Sequence, residues 1–152
     1  MKRLLMIAAL ALFCGSAAFA QNTNETTEMK EKSLYQRLGG YDALAAVSDD
    51  FIGRLGASKR LARFVVGLSD DSKKKLRQHF VEFLCNATGG SCVYMGRDMK
   101  TSHTGLGIAE EDWKESVKLL IETLEKFKVP EKEKEEVLAA VGSLKKDIVE
   151  KK

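Results

Sequence analysis

The sequence predicts an all-α fold, and three features support this prediction. After Ser33, apolar residues recur at intervals of three and four, which is the spacing of one face of an α-helix. No segment alternates apolar and polar residues with a period of two. A single proline and 12 glycines among 152 residues argue against a loop-rich all-β protein. The length suits one domain, and we expect its core to lie among four longer helices joined by short connectors.

The first 20 residues have the layout of a secretory signal peptide. Two basic residues precede an apolar run over 4–13, and Ala18-Phe19-Ala20 ends in the small-x-small pattern of a cleavage site. The run is shorter than the roughly 20 residues that cross a membrane. We therefore expect cleavage after Ala20, a periplasmic or secreted product, and no membrane association once the peptide is removed. Residues 21–32 are polar without an apolar period, so we expect them to be disordered and the folded domain to cover 33–150.

Three helices are expected in the first half of the domain. Ser33 can cap a short helix that Gly39 and Gly40 end, since serine favours helix starts and glycine helix ends. Amphipathic spacing predicts a second helix over 41–56, and the N-cap residues at 69–72 predict a third that continues to about residue 87. The expected inward-facing residues are Leu44, Val47, Phe51 and Leu55 on the second helix and Leu76, Phe80, Phe83 and Leu84 on the third. A short apolar patch at Leu61, Phe64 and Val65 lies between these helices.

The second half is expected to contain a loop, a short helix and two longer helices. Three glycines predict a loop over 88–97, after which Asp98 can cap a short helix that Gly105 stops. Acidic residues at 110–112 suit the positive end of the next helix dipole, and Pro130 suits the first turn of one last helix. The expected core-facing residues are Trp113, Val117, Leu120, Ile121, Leu124 and Phe127, followed by Val137, Leu138, Val141, Leu144 and Ile148.

The charge balance argues against a nucleic-acid partner. The chain carries 25 basic and 22 acidic residues, a net charge of only +3. Acidic and basic residues also alternate over 131–136, which is typical of a solvated helix face. Binding that depends on phosphate neutralisation needs a stronger basic surface. We expect a monomer that does not bind nucleic acid.

The candidate chemistry centres on His79 and His103, the two histidines of the chain. Each lies on an apolar helix face, so the ordinary interpretation is two unrelated, partly buried imidazoles that bond backbone carbonyls. A shared iron or zinc site is the alternative. Covalent haem of the c type would need a Cys-x-x-Cys-His motif, and the sequence has none. Zinc could take both histidines with Cys85 and Cys92, although two cysteines in an exported protein more often form a disulfide, which we expect here.

Non-covalent haem would need one axial histidine and an apolar, aromatic slot. The residues that could form such a slot are Phe51, Phe64, Phe80, Phe83 and Ile108. The residues alone rank haem narrowly above an inert helical domain, with zinc third.

A succession of motifs resembles the group I truncated haemoglobins over roughly 33–146. In order, these motifs are Leu34-Tyr35-Gln36-Arg37-Leu38-Gly39-Gly40, Asp49-Asp50-Phe51, Leu61-Ala62-Arg63-Phe64-Val65, Gly89-Gly90, Tyr94 to Lys100, His103 to Ile108, and Val129-Pro130-Glu131. The most specific part is Gly96-Arg97-Asp98-Met99 followed by His103.

The resemblance implies a shortened globin fold, a sandwich of two helices over two, around a non-covalent haem b with His103 as the proximal iron ligand. It also implies binding of the diatomic gases O2, NO and CO. We expect a binding protein, and enzymatic oxygen or NO chemistry at the haem is left open. The expected haem-contacting residues are Phe51, Ile52, Phe64, Leu76, His79, Phe80, Phe83, Met99, Leu106 and Ile108.

The distal positions depart from the family pattern. Ile52 stands where the family commonly has a tyrosine, and Leu76 and Phe80 stand at glutamine positions. The usual hydrogen-bond donors to bound oxygen are therefore absent, and His79 aligns with a second iron ligand of some cyanobacterial relatives. An electron-transfer protein with both histidines on iron is one alternative function, and a haem carrier or gas sensor without turnover is another. The sequence does not identify a redox partner.

Overall fold

The computed structural model describes residues 31–151, so the predicted signal peptide and most of the polar segment 21–32 lie outside the described residues. The helices are α1 (Leu34–Arg37), α2 (Gly40–Ala57), α3 (Asp70–Ala87), α4 (Met99–His103), α5 (Glu110–Lys126), α6 (Glu131–Ser143) and α7 (Lys145–Ile148), with a 3-10 turn at Ala62–Phe64 between α2 and α3. Over 31–151 the predicted all-α fold is confirmed, and extended pairing is limited to one bridge between Ala109 and Lys151. No helix in this range is both long enough and apolar enough to cross a membrane.

Local capping explains where the helices of the first half begin. Ser33 and Gln36 form a reciprocal capping box at the start of α1, as expected for a serine followed three residues later by glutamine. Gly39 and Gly40 both have positive φ, at 97° and 79°, so the chain turns directly from α1 into α2 without strain. Ser69 accepts a hydrogen bond from a backbone N–H of the first turn of α3.

Packing on α2 organises the core. This helix contacts α3 on one side and α5 on the other, while α6 packs against α5. One cluster of buried side chains joins α2, α5 and α6, and a second joins α2 to α3. The first cluster contains Val47, Phe51, Leu61, Leu119, Leu120, Leu124 and Val137, and the second contains Leu44, Leu84 and Cys85. Burial of these apolar surfaces is the main favourable contribution to folding.

Asp50 fastens α2 to α5 through a half-buried group of charges. Its carboxylate accepts hydrogen bonds from Arg54 at 2.6 Å, from Thr123 at 3.1 Å and from Lys126. The bonds from Arg54 and Lys126 lower the pKa of Asp50 to about 2. The carboxylate therefore stays ionised across the physiological range and holds the two helices together there.

Two expectations for the last helices were wrong in detail. The predicted single helix after Pro130 is interrupted at Leu144, whose N–H bonds the carbonyl of Val141 three residues back, so the chain bends there into α7. The predicted inward stripe on α5 included Phe127, which is 38% exposed because the helix ends at Lys126. Leu119 is buried instead, since α5 contacts α2 and α6 on different faces.

Candidate functional site

A cavity of about 570 Å³ lies between the α2–α3 side of the molecule and the α4–α5 side. This volume falls in the range of pockets that hold cofactors and other small ligands. All the residues predicted to contact a cofactor line it, namely Phe51, Ile52, Phe64, Leu76, His79, Phe80, Phe83, Met99, Leu106 and Ile108, as does His103. The walls are mostly aliphatic and aromatic, and α7 and the end of α6 close one side of the cavity.

His103 enters the cavity from the end of α4 in a defined orientation. Asp98 caps this short helix by accepting a hydrogen bond from the N–H of Thr101 at 2.8 Å. One turn before the histidine, the carbonyl of Met99 lies 2.7 Å from His103 Nδ1. Because a carbonyl can only accept, the neutral ring carries its proton on Nδ1 and leaves the Nε2 lone pair available. The bond to a backbone carbonyl that is ordinary for a partly buried histidine is therefore present at His103.

The chain after His103 is held by the C-terminal segment. The carboxylate of Glu150 accepts hydrogen bonds from the N–H groups of Gly105 at 2.7 Å and Gly107 at 2.5 Å. These two bonds lower the pKa of Glu150. The N–H groups of Glu150 and Lys151 also both donate to the carbonyl of Ile108. Backbone and side-chain hydrogen bonds from the C-terminal segment therefore hold the residues that follow His103 in place.

His79 lies on α3 and lines the cavity from that helix. Within residues 31–151, one of its ring nitrogens has no hydrogen-bond partner. Its Nδ1 atom is buried and makes no hydrogen bond within residues 31–151. The nearest carboxylate oxygen, Oε2 of Glu82, lies 3.5 Å away, which is too long for a hydrogen bond to a ring nitrogen. The side chain as a whole is 44% exposed, so the ring lies at the mouth of the cavity rather than deep inside it.

The three positions where the family commonly has a tyrosine and glutamines are apolar here. Ile52, Leu76 and Phe80 all line the cavity, and the ring of Phe80 stacks on Phe51 at 5.5 Å between centroids. The departure from the family pattern that the sequence predicts is therefore located on the cavity wall. A ligand beside these three residues would find no hydroxyl or amide donor among them.

Tyr94 is a cavity residue that the sequence analysis did not identify as such. Its ring makes T-shaped contacts with the rings of His79 and Phe83, with 6.1 Å and 5.4 Å between ring centroids. Its hydroxyl donates to the carbonyl of Arg97 at 2.6 Å. Burial raises the pKa of Tyr94, and the nearby negative charges of Asp98 and Glu82 add to the effect. The sequence offered two signals for this placement, the position of Tyr94 in one of the family-like motifs and its proximity to Cys92 in a short loop.

Asp112 is a second residue that sequence reasoning missed. It is 1% exposed, lines the cavity at the start of α5, and accepts a hydrogen bond from the N–H of Ala109 at 2.9 Å. Arg60 and Arg63, from the segment between α2 and α3, donate to its two oxygens at 3.3 and 2.7 Å. Burial by itself raises the pKa of Asp112, but the Ala109 bond and the two guanidinium groups outweigh it, so the pKa is lowered.

Cys85 and Cys92 lie side by side behind the cavity, with their Cα atoms 5.8 Å apart and their sulfur atoms at bonding distance. Cys85 is at the end of α3, and Cys92 is in the loop that carries Tyr94. Gly90 allows this close approach, since a Cβ there would lie 2.6 Å from the sulfur of Cys85. The arrangement places the loop against the helix that carries His79.

The comparison with protein families agrees with this architecture. The family model described as bacterial-like globin matches residues 33–150. A group 1 truncated hemoglobin, GlbN, from Mycolicibacterium paratuberculosis is 33% identical over 116 residues, which cover 76% of this chain and 83% of that protein. The GlbN protein of Synechocystis is 33% identical over 115 residues, covering 73% of this chain and 90% of that protein. The chain belongs to the truncated globins, in the group 1 truncated haemoglobins.

A solved structure shows the same fold. The 2/2 hemoglobin from Synechococcus, crystallised in the cyanomet state with covalently attached heme, superposes with a TM-score of 0.71 at 29% identity. The match covers 78% of this chain and 98% of that one. The predicted arrangement of two helices over two is therefore confirmed, with α2 and α3 as one pair and α5 and α6 as the other.

The residues of the cavity fit the haem that this family implies. A haem needs an imidazole with a free lone pair, and the hydrogen bond from His103 Nδ1 leaves Nε2 in that state. It also needs apolar walls that exclude water from the iron, and Phe51, Phe64 and Phe80 contribute aromatic faces to them. Within residues 31–151, the buried Nδ1 atom of His79 is a polar group without a hydrogen-bond partner beside the same cavity, as expected where a bound group would change its surroundings.

Proposed function

We propose that this protein binds haem b non-covalently, with His103 as the proximal ligand, and that the haem binds O2, NO or CO. The observation that carries the proposal is the 2.7 Å contact of His103 Nδ1 with Met99 at the wall of an apolar cavity. A bound haem would supply an iron that accepts a diatomic ligand. The protein would orient the imidazole, raise its basicity through the Met99 hydrogen bond and exclude water from the pocket.

We further propose that His79 is the second axial ligand when no gas is bound. Its ring lines the cavity, and its buried Nδ1 atom has no hydrogen-bond partner within residues 31–151. Coordination through Nε2 would fix the neutral ring with its proton on Nδ1. A gas molecule would then have to displace His79, so binding at saturating gas concentration would be limited by dissociation of the histidine.

Electron transfer is the second candidate function, and the composition of the distal wall favours it. A negatively charged outer oxygen of bound O2 loses about 1.5–3 kcal/mol when no donor faces it. Ile52, Leu76 and Phe80 offer no donor, which argues against tight oxygen storage. A haem held by two histidines changes oxidation state without gaining or losing a ligand, which suits this role.

Optical spectra of the ferric and ferrous protein test the haem proposals, because they report haem content and ligation together. We expect low-spin spectra for the wild type in both oxidation states. His79→Leu is expected to become high-spin when ferrous and to bind CO faster. His103→Ala is expected to lose stable haem incorporation, and added imidazole is expected to restore it. Full haem content and an unchanged spectrum in His103→Ala would reject the proximal assignment, and a high-spin wild type would reject the distal one.

We also propose export and a disulfide between Cys85 and Cys92. The basic, apolar and small-residue order of 1–20 supports export, and the 5.8 Å separation of the two Cα atoms supports the disulfide. A loop this short contributes about 2–3 kcal/mol in the chain-entropy model. Mass spectrometry of non-reduced protein from the periplasm of an expression host is expected to show an N-terminus at residue 21 and no free thiol. Alkylation of both cysteines would reject the disulfide. A protein whose N-terminus is still residue 1 would reject cleavage of the signal peptide.

A further inference from the structure

We infer that Glu82 is a positioning residue for His79, accepting the Nδ1–H proton and thereby directing Nε2 toward the iron. The inference rests on the proposed haem ligation by His79. The two residues are one turn apart on α3, and Oε2 of Glu82 lies 3.5 Å from His79 Nδ1. A small rotation of either side chain brings that distance into hydrogen-bonding range.

The carboxylate is already held in place for this role. Its other oxygen, Oε1, accepts a hydrogen bond from the amide of Gln78 at 2.8 Å. The Glu82 side chain is 21% exposed, so it is largely withdrawn from solvent beside the ring. Fixing one oxygen leaves the second oriented toward the histidine, and this limits the entropy lost when the new bond forms.

Other neighbours do not compete for the Nδ1 proton. Tyr94 meets His79 through its ring, and its hydroxyl group lies instead at the carbonyl of Arg97, 2.6 Å away. Within residues 31–151, Nδ1 has no hydrogen-bond partner in the present arrangement. Glu82 is therefore the acceptor that the fold places beside this atom.

The two histidines would then differ in the charge of their hydrogen-bond acceptors. His103 bonds the neutral carbonyl of Met99, whereas His79 would bond the carboxylate of Glu82. An anionic acceptor increases the electron donation of an imidazole ligand more than a neutral one does. Glu82 would therefore strengthen the bond of His79 to ferric iron more than to ferrous iron and lower the reduction potential.

Spectroelectrochemistry and NMR of three full-length variants test this inference. Glu82→Gln keeps the shape and an acceptor oxygen but removes the charge, and Glu82→Leu removes the acceptor. Asp71→Asn is the matched control, because it removes one negative charge from the exposed start of the same helix. We expect Glu82→Gln to reduce the preference of His79 for ferric iron about tenfold, which raises the midpoint potential by about 59 mV. In Glu82→Leu we expect the His79 Nδ1–H proton to exchange with solvent at least about tenfold faster.

The possible outcomes separate this inference from the proposed ligation. The role of Glu82 would be overturned, with His79 still a ligand, by three results together. The wild type would be low-spin, both Glu82 variants would have the midpoint potential of Asp71→Asn, and proton exchange at His79 would be unchanged. A wild type that is high-spin in both oxidation states would overturn the ligation and the inference together. A shift in Glu82→Gln but not in Asp71→Asn, with faster exchange in Glu82→Leu, supports the inference.

Discussion

Replacing Asp112 should destabilise the fold and loosen one wall of the cavity. This carboxylate joins the first turn of α5 to Arg60 and Arg63, which lie on either side of Leu61 in the segment between α2 and α3. The same segment contributes Leu61 and Phe64 to the cavity. Asp112→Ala removes all three hydrogen bonds, whereas Asp112→Asn removes the charge and keeps an oxygen that can accept from the N–H of Ala109.

The magnitude follows from the partners of each bond. Losing a charge-assisted bond to the Ala109 N–H costs about 1.5–3 kcal/mol. Arg60 and Arg63 are about half exposed, so each pair adds only about 0.2–1 kcal/mol. We therefore expect Asp112→Ala to lower the free energy of unfolding by about 2–5 kcal/mol, or the Tm by about 8–20 °C for a domain of roughly 120 residues. Asp112→Asn is expected to lose about half as much.

The effect should also depend on pH in a defined direction. The folded-state pKa of Asp112 lies below its ordinary value, so the ionised carboxylate stabilises the folded state. This contribution is fully present above about pH 4, the usual range for an unfolded aspartate, and is lost as the pH falls through the lower folded-state value. The free energies of unfolding of the wild type and Asp112→Asn should therefore differ by the same amount at pH 7 and pH 5.5, and this difference should shrink at lower pH.

Urea unfolding and the rate of haem transfer to an apo-acceptor measure the two consequences. Glu111→Gln is the matched control, since it makes the same charge change at an exposed position in the same helical turn. We expect the control to change stability by no more than about 0.5 kcal/mol and Asp112→Ala to release haem faster. Equal unfolding midpoints for Asp112→Ala and Glu111→Gln would refute the reasoning.

Two further predictions concern the loops on either side of the cavity. Gly96→Ala places a Cβ in steric overlap with the Tyr94 hydroxyl oxygen, so we expect the free energy of unfolding in urea to fall by about 1–3 kcal/mol. Gly67→Ala, whose Cβ would meet nothing within 4 Å among the described residues, should be nearly neutral. Equal stabilities of these two variants would contradict the packing of Tyr94. Glu150→Gln can accept through only one oxygen, so we expect exchange of the Gly105 amide to accelerate about tenfold in hydrogen-exchange NMR at neutral pH. Unchanged exchange would show that the carboxylate does not hold the loop.

The helices could be predicted because their signals are local. Ser33 and Asp98 each cap a helix, because the side-chain oxygen accepts a hydrogen bond from the backbone N–H three residues later. Such pairs can be predicted from sequence spacing alone. The interruption at Leu144 was not predicted, since the apolar spacing continues through it to Ile148. Gly142 and Ser143, two weak helix formers, directly precede the interruption, and both Leu144 and Ile148 still line the cavity after it.

The placement of cavity residues was predictable on helices and not in loops. Helical spacing places Leu76 and Phe80 on one face with His79, and all three line the cavity. Tyr94 lies in a loop, where no period relates a residue to a face, so its contact with His79 depends on where the whole loop folds. Asp112 was interpreted only as a favourable charge at a helix start, because its bonds to Arg60 and Arg63 cross about 50 residues of sequence.

The fold holds the two histidines with different firmness, and this difference bears on the proposed function. The ring of His103 is fixed by Met99, and the segment after it is pinned by Glu150. His79 makes no hydrogen bond through its buried nitrogen within the described residues, and its side chain is 44% exposed. A permanent iron ligand needs a fixed ring such as that of His103. A ligand that a gas molecule can displace needs a less restrained ring such as that of His79. If Glu82 holds His79 only weakly, gas binding is favoured, and if it holds His79 firmly, electron transfer is. The strength of this one contact therefore decides between the two candidate functions.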